Sequence, residues 1–286
     1  MRDHSLRLLV AGDVDGAMEQ LEKASPTARR LTLTKSVTCN PNPNWPRIAR
    51  APTQAQQVAF FTRARALTAL RGTDELKYRV ALAYQAVEAN DDEVLRDCIA
   101  FFDRQRMPLK RARAYTDFAL FGGKRGHHLY YSAALAELHA ALSIGDCDRF
   151  EAVINDACEF FEKATVKVRD KGFGWALPNA MRIAGLGFLH YRLQGDVEKA
   201  EATYRLMPSM LRLAVSRRVG PMEYPQVNRA FRILHEMERL RQDADENNME
   251  LALGNLLRLR SEAAQSRLRH NHLGWVGVNR TVEEAG

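Results

Sequence analysis

The chain is poor in the groups that mark disulfide, metal and membrane chemistry. Four cysteines occur in 286 residues, Cys39, Cys98, Cys147 and Cys158, and none forms a C-x-x-C pair. That argues against both a zinc site and a disulfide framework. Cys147 and Cys158 are expected on one helix, where their spacing sets them roughly 16 Å apart, beyond disulfide reach. No run of eighteen apolar residues is free of charge, and the opening MRDHSLRLLVAGDVDG breaks after a few apolar positions. Neither a membrane span nor a secretory leader is expected, and the cytoplasm is the expected compartment.

Signatures of catalysis are equally scarce. There is no G-x-S-x-G elbow, and GGKRG at Gly122 to Gly126 lacks the upstream glycine and downstream hydroxyl of a phosphate-binding loop. HEMER, from His235, has arginine where a zinc protease needs its second histidine, and GFGWAL and GLGFLH miss the third glycine of a dinucleotide fingerprint. His128 and His139 share a helix face but lie roughly 16 Å apart along its axis, too far to hold one ion. The chain is therefore read as non-enzymatic, without cofactor or metal, although catalytic groups converging from distant helices stay open as a third reading.

What the chain has is helical periodicity. From Thr53 to about Ser266 apolar residues recur at three- and four-residue spacing, with few β-branched runs, which predicts successive amphipathic helices. Breaks are expected at Gly72, before Pro108, at GGKRG, at KGFGW from Lys171 and at GPMEYP from Gly220. The prolines of CNPNPNWPRIARAP, Cys39 to Pro52, remove donors and bias their neighbours against helix. The expected organisation is an N-terminal helical pair over 1–36, a proline-rich linker over 37–52, a helical domain over 53–266 and a tail over 267–286.

A glycine-aspartate corner recurs in VAGDVDGAMEQL, SIGDCDRFEAVI and YRLQGDVEKAEATYRLMP. Glycine can take the left-handed conformation that ends a helix, and aspartate can cap the next by accepting from its free amides. In the third copy Tyr191 precedes the turn, Gly195 and Asp196 form it, Ala200 packs the second helix closely and Tyr204 follows one turn later. This segment, Ala184 to Met207, resembles the tetratricopeptide repeat family. Near Gly145 the alanine position is Phe150, and the corner glycines are not spaced at multiples of thirty-four. The expected fold is thus all-α: an irregular α-solenoid of antiparallel helix pairs, a degenerate superhelix of that kind.

The resemblance implies that first helices of each pair line a concave groove for partner peptides. Carried onto this chain, the groove would present Arg182, Gly185, Leu189, Arg192 and Leu193, with Ser132, Leu135 and His139 from an earlier pair. Two arginines there imply an acidic peptide or carboxylate as ligand. Binding of another protein is the leading expectation. A second is nucleic acid or another polyanion, because Phe101 to Tyr131 alone contributes +5 of the net +7, interleaves Lys110, Arg111, Lys124, Arg125 and His127 with tyrosines, and is followed by the acid-free Arg205 to Arg218. The alternative for both is ordinary solvation of helix faces.

Overall fold

The computed structural model describes residues 4–30, 33, 54–111, 126–165, 173–216, 224–243, 245–257, 267 and 271. Among them no residue is in a strand, and the elements are α1 (His4–Val10), α2 (Val14–Glu22), α3 (Gln54–Ala66), α4 (Thr73–Ala89), α5 (Asp92–Arg111), α6 (Gly126–Ile144), α7 (Cys147–Thr165), α8 (Phe173–Gln194), α9 (Val197–Ser216), α10 (Tyr224–Gln242) and α11 (Glu246–Leu257). A further helical turn covers residues 26–30. The expected linker at 37–52 lies outside the described residues.

Local chemistry explains the corners. Gly12, Gly145 and Gly195 all have positive φ, at 85°, 75° and 88°. The aspartate after each accepts from an amide three residues on: Gly16 to Asp13 at 2.9 Å, Arg149 to Asp146 at 3.0 Å and Lys199 to Asp196 at 3.0 Å. A fourth corner of the same build joins α4 to α5. There Asn90 takes the left-handed conformation at φ 54°, and Asp91 accepts from the Val94 amide at 3.1 Å. At three corners the aspartate amide also reaches back five residues, Asp13 to Leu8, Asp91 to Ala86 and Asp146 to Ala141, which satisfies a carbonyl stranded by the helix end.

One expected break is absent: α5 continues through Pro108 to Arg111. α8 starts at Phe173, within the expected KGFGW break, and carries Pro178 inside it. Each proline lies close to a helix end, where loss of one amide donor interrupts little of the hydrogen-bond ladder.

The helices pack in an ordered way. α4 lies against α6, α6 against α8 and α8 against α10, while α5, α7 and α9 each touch the helix before and after them. α11 departs from this order and turns back to pack on α8. The result places α6 and α8 at the centre: over Tyr130–Ile144 and Ala176–Gln194 no residue is exposed. That explains their high apolar content on every side. α8 is reached from two directions at its glycines. A Cβ on Gly185 would meet Leu256 Cδ1 of α11 at 3.0 Å, and one on Gly187 would meet Ile154 Cγ2 of α7 at 2.8 Å and Thr203 Cγ2 of α9 at 3.1 Å. The N-terminal pair shares a core with later helices, since Leu9, Met18 and Leu21 cluster with Phe60, Phe61 and Tyr78. Tyr84 and Val94 touch both this cluster and the main one.

Candidate functional site

The expected groove face of α8 is closed at its N-terminal half. Arg182 donates from Nε at 2.9 Å, and from Nη2, to the Leu256 carbonyl. That carbonyl belongs to the last described turn of α11, and the guanidinium gives it charged donors. Arg182 thus ties α11 down. Leu189 and Leu193 are core residues, Leu189 with no exposed surface. Arg182 and Gly185 face the chain's own helix because α11 returns to α8.

His139 is also core. It has no exposed surface, its two ring nitrogens have no hydrogen-bond partner, and its ring meets Tyr84 edge-on at 5.2 Å. Burial, with the nearby Arg182 charge, holds its pKa well below the ordinary histidine value, so the imidazole is neutral. Ser132 accepts from Asn179 Nδ2 at 3.0 Å, which joins α6 to α8. The expected groove residues of α6 are therefore a packing seam.

Arg192 has a different setting. It lies part-buried in the last turn of α8, and its Nε is buried without a partner. Glu201 of α9 is held below the ordinary carboxylate range first by its hydrogen bond from Arg241, then by the charges of Arg241, Arg205 and Arg192. Arg241 also approaches Glu238 at 3.8 Å, so two carboxylates, Glu201 and Glu238, partly offset the charges of Arg192, Arg205 and Arg241. Arg241 reaches Glu201 at 2.7 Å and stacks over the Tyr204 ring at 4.8 Å, and the Tyr204 hydroxyl donates to Glu238. The surplus of positive charge suits a further carboxylate brought from outside.

A pair that sequence reading missed sits between α7 and α8. His190 Nε2 is 2.9 Å from Glu151 Oε1, and Gln194 Nε2 donates to the same oxygen at 3.3 Å. Burial keeps the His190 pKa low, while the bond from His190 keeps that of Glu151 low. The pair resembles a base and its orienting acid, but the groups around it are not activated nucleophiles. Tyr191 donates its hydroxyl to Asn155 at 2.9 Å, and burial pushes the Cys158 thiol up to about 12. The histidine one residue before the repeat-like Tyr191 was the available signal, and its partner 39 positions earlier was not.

A shallow cavity of about 300 Å³ opens between α5 and the α6–α7 corner, lined by Arg96, Ile99, Ala100, Asp103, Ile144, Asp146 and Arg149. Its two arginines and two aspartates balance, and Arg149 is engaged by Asp103 at 2.9 Å and by buried Glu137 at 2.7 Å. No charge is left there to select a ligand. Among the described residues no group of histidines, cysteines and acids could hold a metal ion, and no helix is long and apolar enough to cross a membrane. Lys110 and Arg111 end α5 and His127 begins α6, but their side chains lie outside the described ones, as do Lys124 and Arg125 altogether.

Compared with protein-family models, with curated proteins and with solved structures, the chain matches none.

Proposed function

We propose that the protein is a non-enzymatic interaction protein of stacked helix pairs, a degenerate array in the manner of tetratricopeptide repeats, which binds an acidic segment of another protein. The ordered packing of α4, α6, α8 and α10, each with an accompanying helix, supports the array. The observation that carries the binding reading is the Arg241–Glu201 pair at 2.7 Å, with exposed Arg205 and part-buried Arg192 adding their charges at the same carboxylate. Planar guanidiniums from three helices offer paired donors to carboxylates, on a scaffold whose central helix is packed on all sides. The cytoplasm is the proposed setting, where thiols such as Cys98, raised to about 12 by burial, stay reduced and inert.

Affinity capture from a cytosolic extract at low and at moderate salt tests this reading. The expected result is a partner retained by wild type, released as salt rises, and lost with Arg192→Glu combined with Arg205→Glu. Retention unchanged by that double reversal overturns the arginine cluster as the seat. Retardation of RNA or DNA with a steep logarithmic salt dependence, and no protein partner, favours the polyanion reading instead.

A further inference from the structure

The surface between α9 and α10 carries more than charge. Glu201 pairs with Arg241 and Tyr204 with Glu238, so the two helices run antiparallel in a fixed register. Carried along both helices, this register sets Leu211 opposite Phe231 and Val215 opposite Val227. These residues recur at three- and four-residue spacing and thus line one seam. Ion pairs close the seam at the Tyr204 end. Towards the other end it opens: Val215 is 61% exposed, Phe231 56% and Tyr224 56%, while Leu211 and Val227 are half-buried. Of the six large hydrophobic side chains exposed among the described residues, these are three. Singly scattered apolar residues need no explanation, but this concentration in one inter-helix furrow does.

We propose that the furrow between α9 and α10 is the seat of an acidic amphipathic helix from a partner protein. The assignment rests on the interaction reading above and names its surface and partner chemistry. Three features select this occupant. The open part of the furrow, walled by Leu211 and Val215 on α9 and by Phe231, Val227 and Tyr224 on α10, is roughly 10 Å long, about two helical turns. Its walls are helices whose main-chain groups are paired within themselves, so an incoming segment must satisfy its own amides, as a helix does and a strand does not. Its rims carry exposed Arg205 and Arg212 on α9 and exposed Arg232 on α10. A helix with apolar residues at i, i+3 and i+7 and acids on both flanks would bury the first in the furrow and present the second to these arginines. A second copy of this chain would bring arginine rim against arginine rim, which like-charge repulsion opposes.

The test uses the full chain and two synthetic peptides of about eighteen residues with the same leucine stripe, one flanked by glutamates and one by lysines. Fluorescence anisotropy is expected to show saturable binding of the glutamate peptide alone. That binding should weaken at least about tenfold for Val215→Asp, and likewise for Arg212→Glu combined with Arg232→Glu. Because these side chains are exposed, thermal melting should be unchanged, which separates lost docking from lost fold. Failure of the glutamate peptide to saturate, equal binding of the lysine peptide, or indifference to Val215→Asp each overturns the furrow. If a captured partner is retained by both wild type and Val215→Asp, the interaction reading stands and only the furrow assignment falls.

Discussion

Arg182 and His139 show how residue type misleads until its neighbours are known. Both suit a ligand site by chemistry, and both serve packing by position. Arg182→Ala removes two donors from the Leu256 carbonyl and is expected to cost about 1–3 kcal/mol, read as a lower urea midpoint, with partner capture changed only in proportion to unfolding. His139 and His190 together give the stability a pH dependence of defined sign. Their folded pKa values are depressed, so below the unfolded value of about 6.5 the unfolded chain takes up protons that the native one refuses. Stability is then fully present above about pH 7 and falls as pH drops, by about 1.4 kcal/mol per unit for each histidine until its folded pKa is reached. Urea unfolding at pH 5.5 and 7.5 should show this loss, and His139→Leu, which removes the more strongly depressed group, should remove the larger part of it. Glu151, whose pKa is also lowered, loses its contribution in a different window, below about pH 4.5. A flat profile between pH 5.5 and 7.5 would refute the assignment of neutral buried imidazoles.

At the scale of elements the four corners were mostly legible, because capping is a local rule. Gly-Asp at 12–13, 145–146 and 195–196 could be read from sequence alone, and the structure gives each a left-handed glycine and the same side-chain cap. At Asn90-Asp91 the helix boundary and the capping role of Asp91 were legible too, whereas the left-handed Asn90 was not, because asparagine is a less frequent left-handed residue than glycine. The closure of the α8 face was not legible. It depends on Leu256 meeting Arg182 across 74 positions, and no periodicity in either segment announces that contact. The stripes at 204, 208, 211 and 215 and at 224, 227, 231 and 234 were visible as apolar spacing. What could not be read was that their shared seam stays open. Asp91→Ala and Asp196→Ala should each destabilise the protein by about 1 kcal/mol, by loss of one side-chain cap. Asn90→Ala should cost a similar amount through left-handed strain, about 1–2 kcal/mol. Hydrogen exchange localised to the start of α5 or of α9 would assign each loss to its own corner.

At the scale of the molecule, the return of α11 to α8 separates two kinds of contact by the chain length they span. Helices from α3 to α10 pack on partners one or two elements away in the chain, whereas α11 packs back on α8 across all of α9 and α10. Long loops are costly to close before the surfaces they unite have formed. The inner stack should therefore assemble first, with α11 settling on it afterwards. In kinetic terms, Leu256→Ala should leave the folding rate nearly unchanged and speed unfolding by most of its stability loss, a φ-value near zero. Ala180→Gly in the middle of α8 should instead slow folding. The same helix that seals the centre of the protein is then its last step in assembly, and its docking sets how long the folded state persists once formed.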